Sequence, residues 1–217
     1  MIRLSRRTRR LASAAAGGLI LYGCAGQPVA VAPPGRRDVA RPGRPGFVVA
    51  APRGDRETDD MAAEIARRTG FGLVVAEGGA RDANAAYEQR VREAAGGPLR
   101  FYAAIHDGDR AACTGSMEIT TVGIDRELAL RLRALAELIR DAHLRTTREV
   151  PRLDVLIQPA DAVTAAAAGA PRDPILRLPP RALQIELPRC PRRDWRDTYA
   201  AILSDFLVEA VALPVGR

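Results

Sequence analysis

Residues 47–76 read FVVAAPRGDRETDDMAAEIARRTGFGLVVA, and this stretch decides the fold. Its two ends, Phe47-Val48-Val49-Ala50-Ala51 and Gly72-Leu73-Val74-Val75-Ala76, are uninterrupted apolar runs of strand length. A strand with no polar face is covered on both sides, as in parallel sheets flanked by helices. Between the two runs, residues 59–69 carry Met61, Ala62, Ile65 and Ala66 at helical spacing, and Gly70 supplies a stop. Strand, helix and strand in that order predict the crossover unit of an α/β domain.

The alternation continues outward. Residues 84–95 read as a helix that Gly96-Gly97-Pro98 ends, and residues 99–106 and 116–122 as two strands. Residues 125–144 are the strongest helix, with Leu128, Leu132, Leu135, Leu138, Ile139 and Ala142 as its apolar face. Residues 153–158 and 182–187 are further strands. Residues 160–169 are an alanine-rich loop or helix, and residues 195–211 a closing amphipathic helix. The pattern predicts a three-layer α/β domain over residues 47–217 with a mostly parallel or mixed central sheet.

Charge separates this domain from what precedes it. The chain has 217 residues and a net charge of +7, from 33 basic residues, all arginine, against 26 acids. A 47% hydrophobic and 27% charged composition excludes a wholly disordered chain and a multispan membrane protein. Residues 1–23 hold Arg3, Arg6, Arg7, Arg9 and Arg10 and no acid, and residues 11–22 are uncharged. A basic start followed by a short apolar run is the layout of a secretory signal. The run falls short of the roughly 20 residues a spanning helix needs.

The run leads into Leu21-Tyr22-Gly23-Cys24, which resembles a bacterial lipobox. That resemblance implies a diacylglyceryl thioether on Cys24, the alternative being a secreted protein in which Cys24 is incidental. By resemblance to bacterial lipoprotein sorting patterns, Ala25 after the cysteine, in place of Asp, implies the outer membrane facing the periplasm in a two-membrane cell. Residues 24–46, with Pro28, Pro33, Pro34, Pro42 and Pro45, read as a Pro/Gly/Arg-rich tether. The remaining residues 47–217 hold 24 arginines and 25 acids, a net charge of −1. A nucleic-acid module keeps a basic surplus on its folded part, so the expected partner is a membrane, through the anchor, and not nucleic acid.

In open α/β sheets, sites gather at the carboxyl ends of strands. Three such ends carry polar groups here: the run from Pro52 to Glu57, then His106-Asp107-Gly108, then Gln184 and Glu186. Glu57 is open to two readings, metal ligand and helix cap. Glu186 has two as well, a general base aimed into a cleft and the wet face of an edge strand. His106 is either a hydrogen-bonded structural residue or part of a site.

Four blocks carry a resemblance. Ala51-Pro52-Arg53-Gly54-Asp55 through Ile65-Ala66 is the first, and Tyr102-Ala103-Ala104-Ile105-His106 the second. The third is Ser116-Met117-Glu118-Ile119-Thr120-Thr121-Val122-Gly123, and the fourth Ala182-Leu183-Gln184-Ile185-Glu186-Leu187-Pro188-Arg189. In this order they resemble the N-formylglutamate amidohydrolase family and are similar to its relatives, the poly-gamma-glutamate hydrolases and zinc carboxypeptidase-like enzymes. The resemblance spans about residues 47–212.

It implies a phosphorylase/hydrolase-like α/β fold and a zinc held by two histidines and one carboxylate. Such a zinc activates water while a separate glutamate moves protons. By position, His106 matches a metal histidine and Glu57 the metal carboxylate, with Asp59 as its rival. Glu186 matches the catalytic glutamate, and the arginine after it, Arg189, and the asparagine Asn84 match substrate-binding residues.

Two departures weaken the metal site. Arg53 stands where the family has histidine, and a guanidinium does not ligate zinc. Ala85 follows Asn84 where the family has arginine. His143, the only other histidine, lies 37 residues beyond His106 in the long helix. Arg53 is also placed to take the metal's position electrostatically, pairing with Glu57 and Glu186. Cys113 and Cys190 are either a disulfide of an exported domain or two unrelated buried thiols. Two functions follow. One is a membrane-tethered hydrolase of amide bonds in small acidic or peptide substrates, with an intact or impaired zinc site. The other is a non-catalytic relative that binds a periplasmic ligand or partner in the same cleft.

Overall fold

The computed structural model describes residues 39–52, 55–76, 84–108, 113, 115–164 and 174–214. Within them seven strands form one sheet: β1 (Val39–Arg41), β2 (Arg44–Ala51), β3 (Phe71–Val75), β4 (Phe101–Asp107), β5 (Ser116–Val122), β6 (Asp154–Ile157) and β7 (Arg181–Leu187). The spatial order is β1-β3-β2-β4-β7-β5-β6. β3, β2, β4 and β7 run parallel. β5 is antiparallel to β7, β6 is parallel to β5, and β1 is antiparallel to β3. The sheet is therefore mixed, with a parallel centre, and the α/β class is as expected.

Strand parity sorts the side chains into two layers. On one face Val49, Leu73, Ile105, Ile119 and Ile185 meet α1 (Arg56–Thr69), α3 (Arg126–Leu144) and a long closing helix. On the other, Val48, Val74, Tyr102 and Ala182 meet α2 (Asn84–Ala95) and a 3₁₀ turn (Pro174–Arg177). After β7 a short helix, α4 (Arg189–Arg193), precedes the closing helix α5 (Arg196–Ala212). α5 packs against both α1 and α3. It therefore buries Tyr199, Ile202, Leu203, Phe206 and Leu207 around much of its girth, more than one amphipathic stripe requires.

Local chemistry sets the helix ends. Asp55 caps α1, its carboxylate accepting from the backbone N–H groups of Glu57 and Thr58, and Gly70 closes the helix in the left-handed region at φ 72°. Of the two readings of Glu57, the cap therefore belongs to Asp55. Asp125 caps α3 by accepting from the N–H of Leu128 at 2.8 Å.

Two expectations need correction. Leu138 does not join the apolar face of α3 and is 68% exposed, because the buried stripe runs through Leu128, Ala129, Leu132, Ala136 and Arg140. Arg140 takes the inner place because its Nη1 donates to the Leu153 carbonyl at 2.7 Å, which satisfies a group that burial would otherwise strand.

The second correction concerns the tether. Of its last residues, 39–41 and 44–46 belong to the sheet. β1 pairs Val39 with Val75, and the Arg44 guanidinium lies 4.4 Å from the Phe47 ring centre. Residues 1–38 lie outside the described residues, and with them the signal, Cys24 and most of the tether.

Gly72 shows how closely the layers meet. A Cβ on it would stand 2.2 Å from the backbone oxygen of Ala94 in α2. Gly72→Ala is expected to destabilise the fold by about 1–3 kcal/mol, read as a lower denaturant midpoint at unchanged slope.

Candidate functional site

β2, β4 and β7 end at the same edge of the sheet, and antiparallel β5 begins there. Near that edge His106 on β4 is in direct register with Glu186 on β7, and Glu186 with Glu118 on β5. Register partners share a face, so the three form a row on the α2 side. Neighbouring strands are about 4.8 Å apart, so the row spans roughly 10 Å. His106 and Glu118 are buried, whereas Glu186 is partly exposed. Two residues back along β7, Gln184 lies between Ala104 and Thr120.

Polar contacts organise this row. Gln184 Nε2 donates to Glu186 Oε1 at 3.0 Å. Glu118 accepts from Ser116 Oγ at 3.1 Å, from the Thr164 N–H at 2.6 Å and from Thr164 Oγ1 at 3.1 Å. Glu118 thus draws the segment after β6 onto the sheet. Tyr87 and Tyr102 share a 2.7 Å hydroxyl contact that closes the layer under α2.

A second constellation joins α4 to the start of α1. Arg192, 5% exposed, donates from Nη1 to Asp55 Oδ2 at 2.8 Å and to Thr58 Oγ1 at 3.2 Å. Its Nε donates to the Leu187 carbonyl at 3.2 Å. Glu57 lies between two guanidinia, 3.6 Å from Arg189 and 3.7 Å from Arg192. A disulfide links Cys113, after β4, to Cys190 in α4.

The structure therefore divides the expected site. His106 and Glu186 come together, and so do Glu57 and Arg189, but the second pair neutralises itself. Asp59, the rival carboxylate, lines a groove of about 320 Å³ with Arg41, Arg56 and Asp60 against α1. The Asn84 side chain and Arg53 lie outside the described residues, although Asn84 opens α2.

The residues do not fit the implied zinc. The chain has two histidines, and a two-histidine site needs both. His143 Nε2 lies 2.8 Å from Asp205 Oδ2, linking α3 to α5. That is the opposite side of the sheet from His106. Among the described residues, Cys113, Cys190 and Asp194 bring their ligand atoms within 4.8 Å of one another, but both sulfurs are held in the disulfide.

Sequence reading missed Glu118 and Arg192. The alternation of Ser116, Glu118 and Thr120 against Met117 and Ile119 marks a polar face. Only the pairing of β5 with β7 shows that this face meets Glu186.

No family model and no curated protein matches the chain. Among solved structures, it is similar to a zinc-free apo form of YndL, at 13% identity over 78% of this chain and 88% of that one, with a TM-score of 0.46. It is similar also to the N-acetylmuramoyl-L-alanine amidase AmiC2 of Nostoc punctiforme, at 14% identity over 79% and 100%, with a TM-score of 0.39. Neither likeness is close enough to bear on chemistry, and the architecture rests on the strand order and register.

Arg192→Met removes the donor that Asp55, Thr58 and the Leu187 carbonyl share and takes the buried guanidinium away from the Asp55 carboxylate. It is expected to cost about 2–4 kcal/mol of stability, read by chemical denaturation under conditions that keep the disulfide intact.

Proposed function

We propose that this chain is an envelope-anchored, amide-hydrolase-like protein whose zinc chemistry is impaired. In this reading its domain binds a small acidic amide or peptide ligand over Glu186 and His106. The observation that carries it is the direct register of His106 with Glu186 on adjacent central strands at the carboxyl edge of the sheet. The ordered resemblance of the sequence to amide hydrolases supports the ligand class. Impairment is supported by the two histidines lying on opposite sides of the sheet, and by the two guanidinia that engage Glu57.

In this reading Glu186 is the accessible polar group and accepts a hydrogen bond or proton from the ligand. His106 flanks it from β4. Glu118 keeps the adjacent segment in place through Thr164, and Gln184 holds the Glu186 carboxylate in orientation.

The test is metal content. The purified chain, equilibrated with zinc and then freed of unbound ion, is expected to retain well under one zinc per chain and to release no formate from N-formylglutamate. Arg53→His is expected to raise the zinc content. Near-stoichiometric zinc in the unmodified chain, together with hydrolysis that Glu186→Gln abolishes, would overturn the impaired reading.

The anchor belongs to the same proposal. An acylated Cys24 supplies membrane affinity of about 0.8 kcal/mol per buried methylene. The disulfide supports export, since such bonds persist in oxidising compartments. Cys24→Ala is expected to move the protein from the membrane pellet to the soluble fraction. Unchanged sedimentation of that variant with membranes would remove the lipid from the account.

A further inference from the structure

Gln184 is 3% exposed and sits two residues before Glu186 on the same face of β7. Its orientation follows from its contact. Nε2 is 3.0 Å from Glu186 Oε1. The flipped amide would set two acceptor oxygens against each other, because a carboxylate offers only acceptors. The amide oxygen therefore points away from Glu186. It is buried, with no hydrogen-bond partner among the described residues. A buried acceptor without a donor is disfavoured, and native proteins leave few of them. Neither register neighbour supplies an amide donor: Ala104 has none, and Thr120 offers only a hydroxyl.

We infer that Gln184 is a specificity residue whose Oε1 accepts the N–H of a bound ligand while its Nε2 holds Glu186. The inference rests on the reading that a small amide ligand occupies the site over Glu186. Glu186 and Gln184 each offer an acceptor oxygen on the same face of β7, so a ligand seated there meets acceptors and must bring a donor. An N–H borne on the ligand's amide or ammonium nitrogen satisfies the orphaned oxygen. A nitrogen without hydrogen leaves two acceptors facing a group that cannot donate. Selectivity in such a site comes mainly from the penalty on the ligand that fails to pair.

Matched probes test this by calorimetric titration of the full chain in detergent. N-formylglutamate carries the amide N–H, N-methyl-N-formylglutamate lacks it, glutamate replaces it with an ammonium, and glutarate has no nitrogen. The unmodified protein is expected to bind N-formylglutamate about tenfold more tightly than its N-methylated counterpart, the scale of one buried hydrogen bond. Gln184→Met, checked for folding by circular dichroism, is expected to bring the two within twofold.

Tight binding of glutamate with weak binding of glutarate also supports the N–H requirement, and assigns it to an ammonium. Equal affinity of the unmodified protein for the methylated and unmethylated amides would overturn the inference while leaving the ligand reading in place. No binding of any probe would overturn both. If Gln184→Met does not fold, the comparison of the two amides on the unmodified protein still decides.

Discussion

The register of β7 is the constraint on which the rest depends. This strand is flanked by β4 in parallel and by β5 in antiparallel pairing. Its parity sends Leu183, Ile185 and Leu187 into the layer under α1, α3 and α5. The same parity turns Gln184 and Glu186 toward the α2 side. A slip of one residue would exchange the sets, burying a carboxylate in the apolar layer and moving three core side chains to the polar row. The apolar half thus enforces the position of the polar half. The energy that fixes Glu186 beside His106 comes largely from side chains on the opposite face of the sheet.

Much of the fold was legible because buried elements repeat one simple contrast. The continuous apolar runs of β2 and β3, separated by the helical stripe of α1, sufficed for an α/β domain. Residues 84–95 and 116–122 matched α2 and β5 to the residue. What escaped the sequence depends on distant partners. β1 is three residues long and becomes a strand only because the edge of β3 is there to pair with it. Arg140 looks like a surface residue until the Leu153 carbonyl is placed over it. Leu138 has the helical spacing of a core residue but falls outside the arc that the sheet and α5 cover.

The site was legible in part for the same reason. His106 and Glu186 were recognisable singly, as polar residues at strand ends. Their meeting is a property of the β4–β7 register, which no local pattern encodes. Glu57 and Arg189 were assigned to metal and substrate, yet they lie 3.6 Å apart. A carboxylate flanked by two guanidinia is already compensated, and a cation brought to it would meet two like charges. Arg192 is the more constrained of the two, being buried and bonded to Asp55, Thr58 and the Leu187 carbonyl. Its role is to bind the end of β7 to the start of α1. Withdrawing it to free Glu57 would break three other hydrogen bonds.

The carboxyl edge of the sheet is cross-linked by the protein's own side chains. In a metal site the ion draws together ligands from several strand ends. Here three protein links hold that edge. Arg192 joins α4 to α1, the disulfide joins α4 to the segment after β4, and Glu118 joins β5 to Thr164. Each link crosses between elements distant in sequence. The framework that presents Glu186 is therefore built from links independent of the β4–β7 register itself.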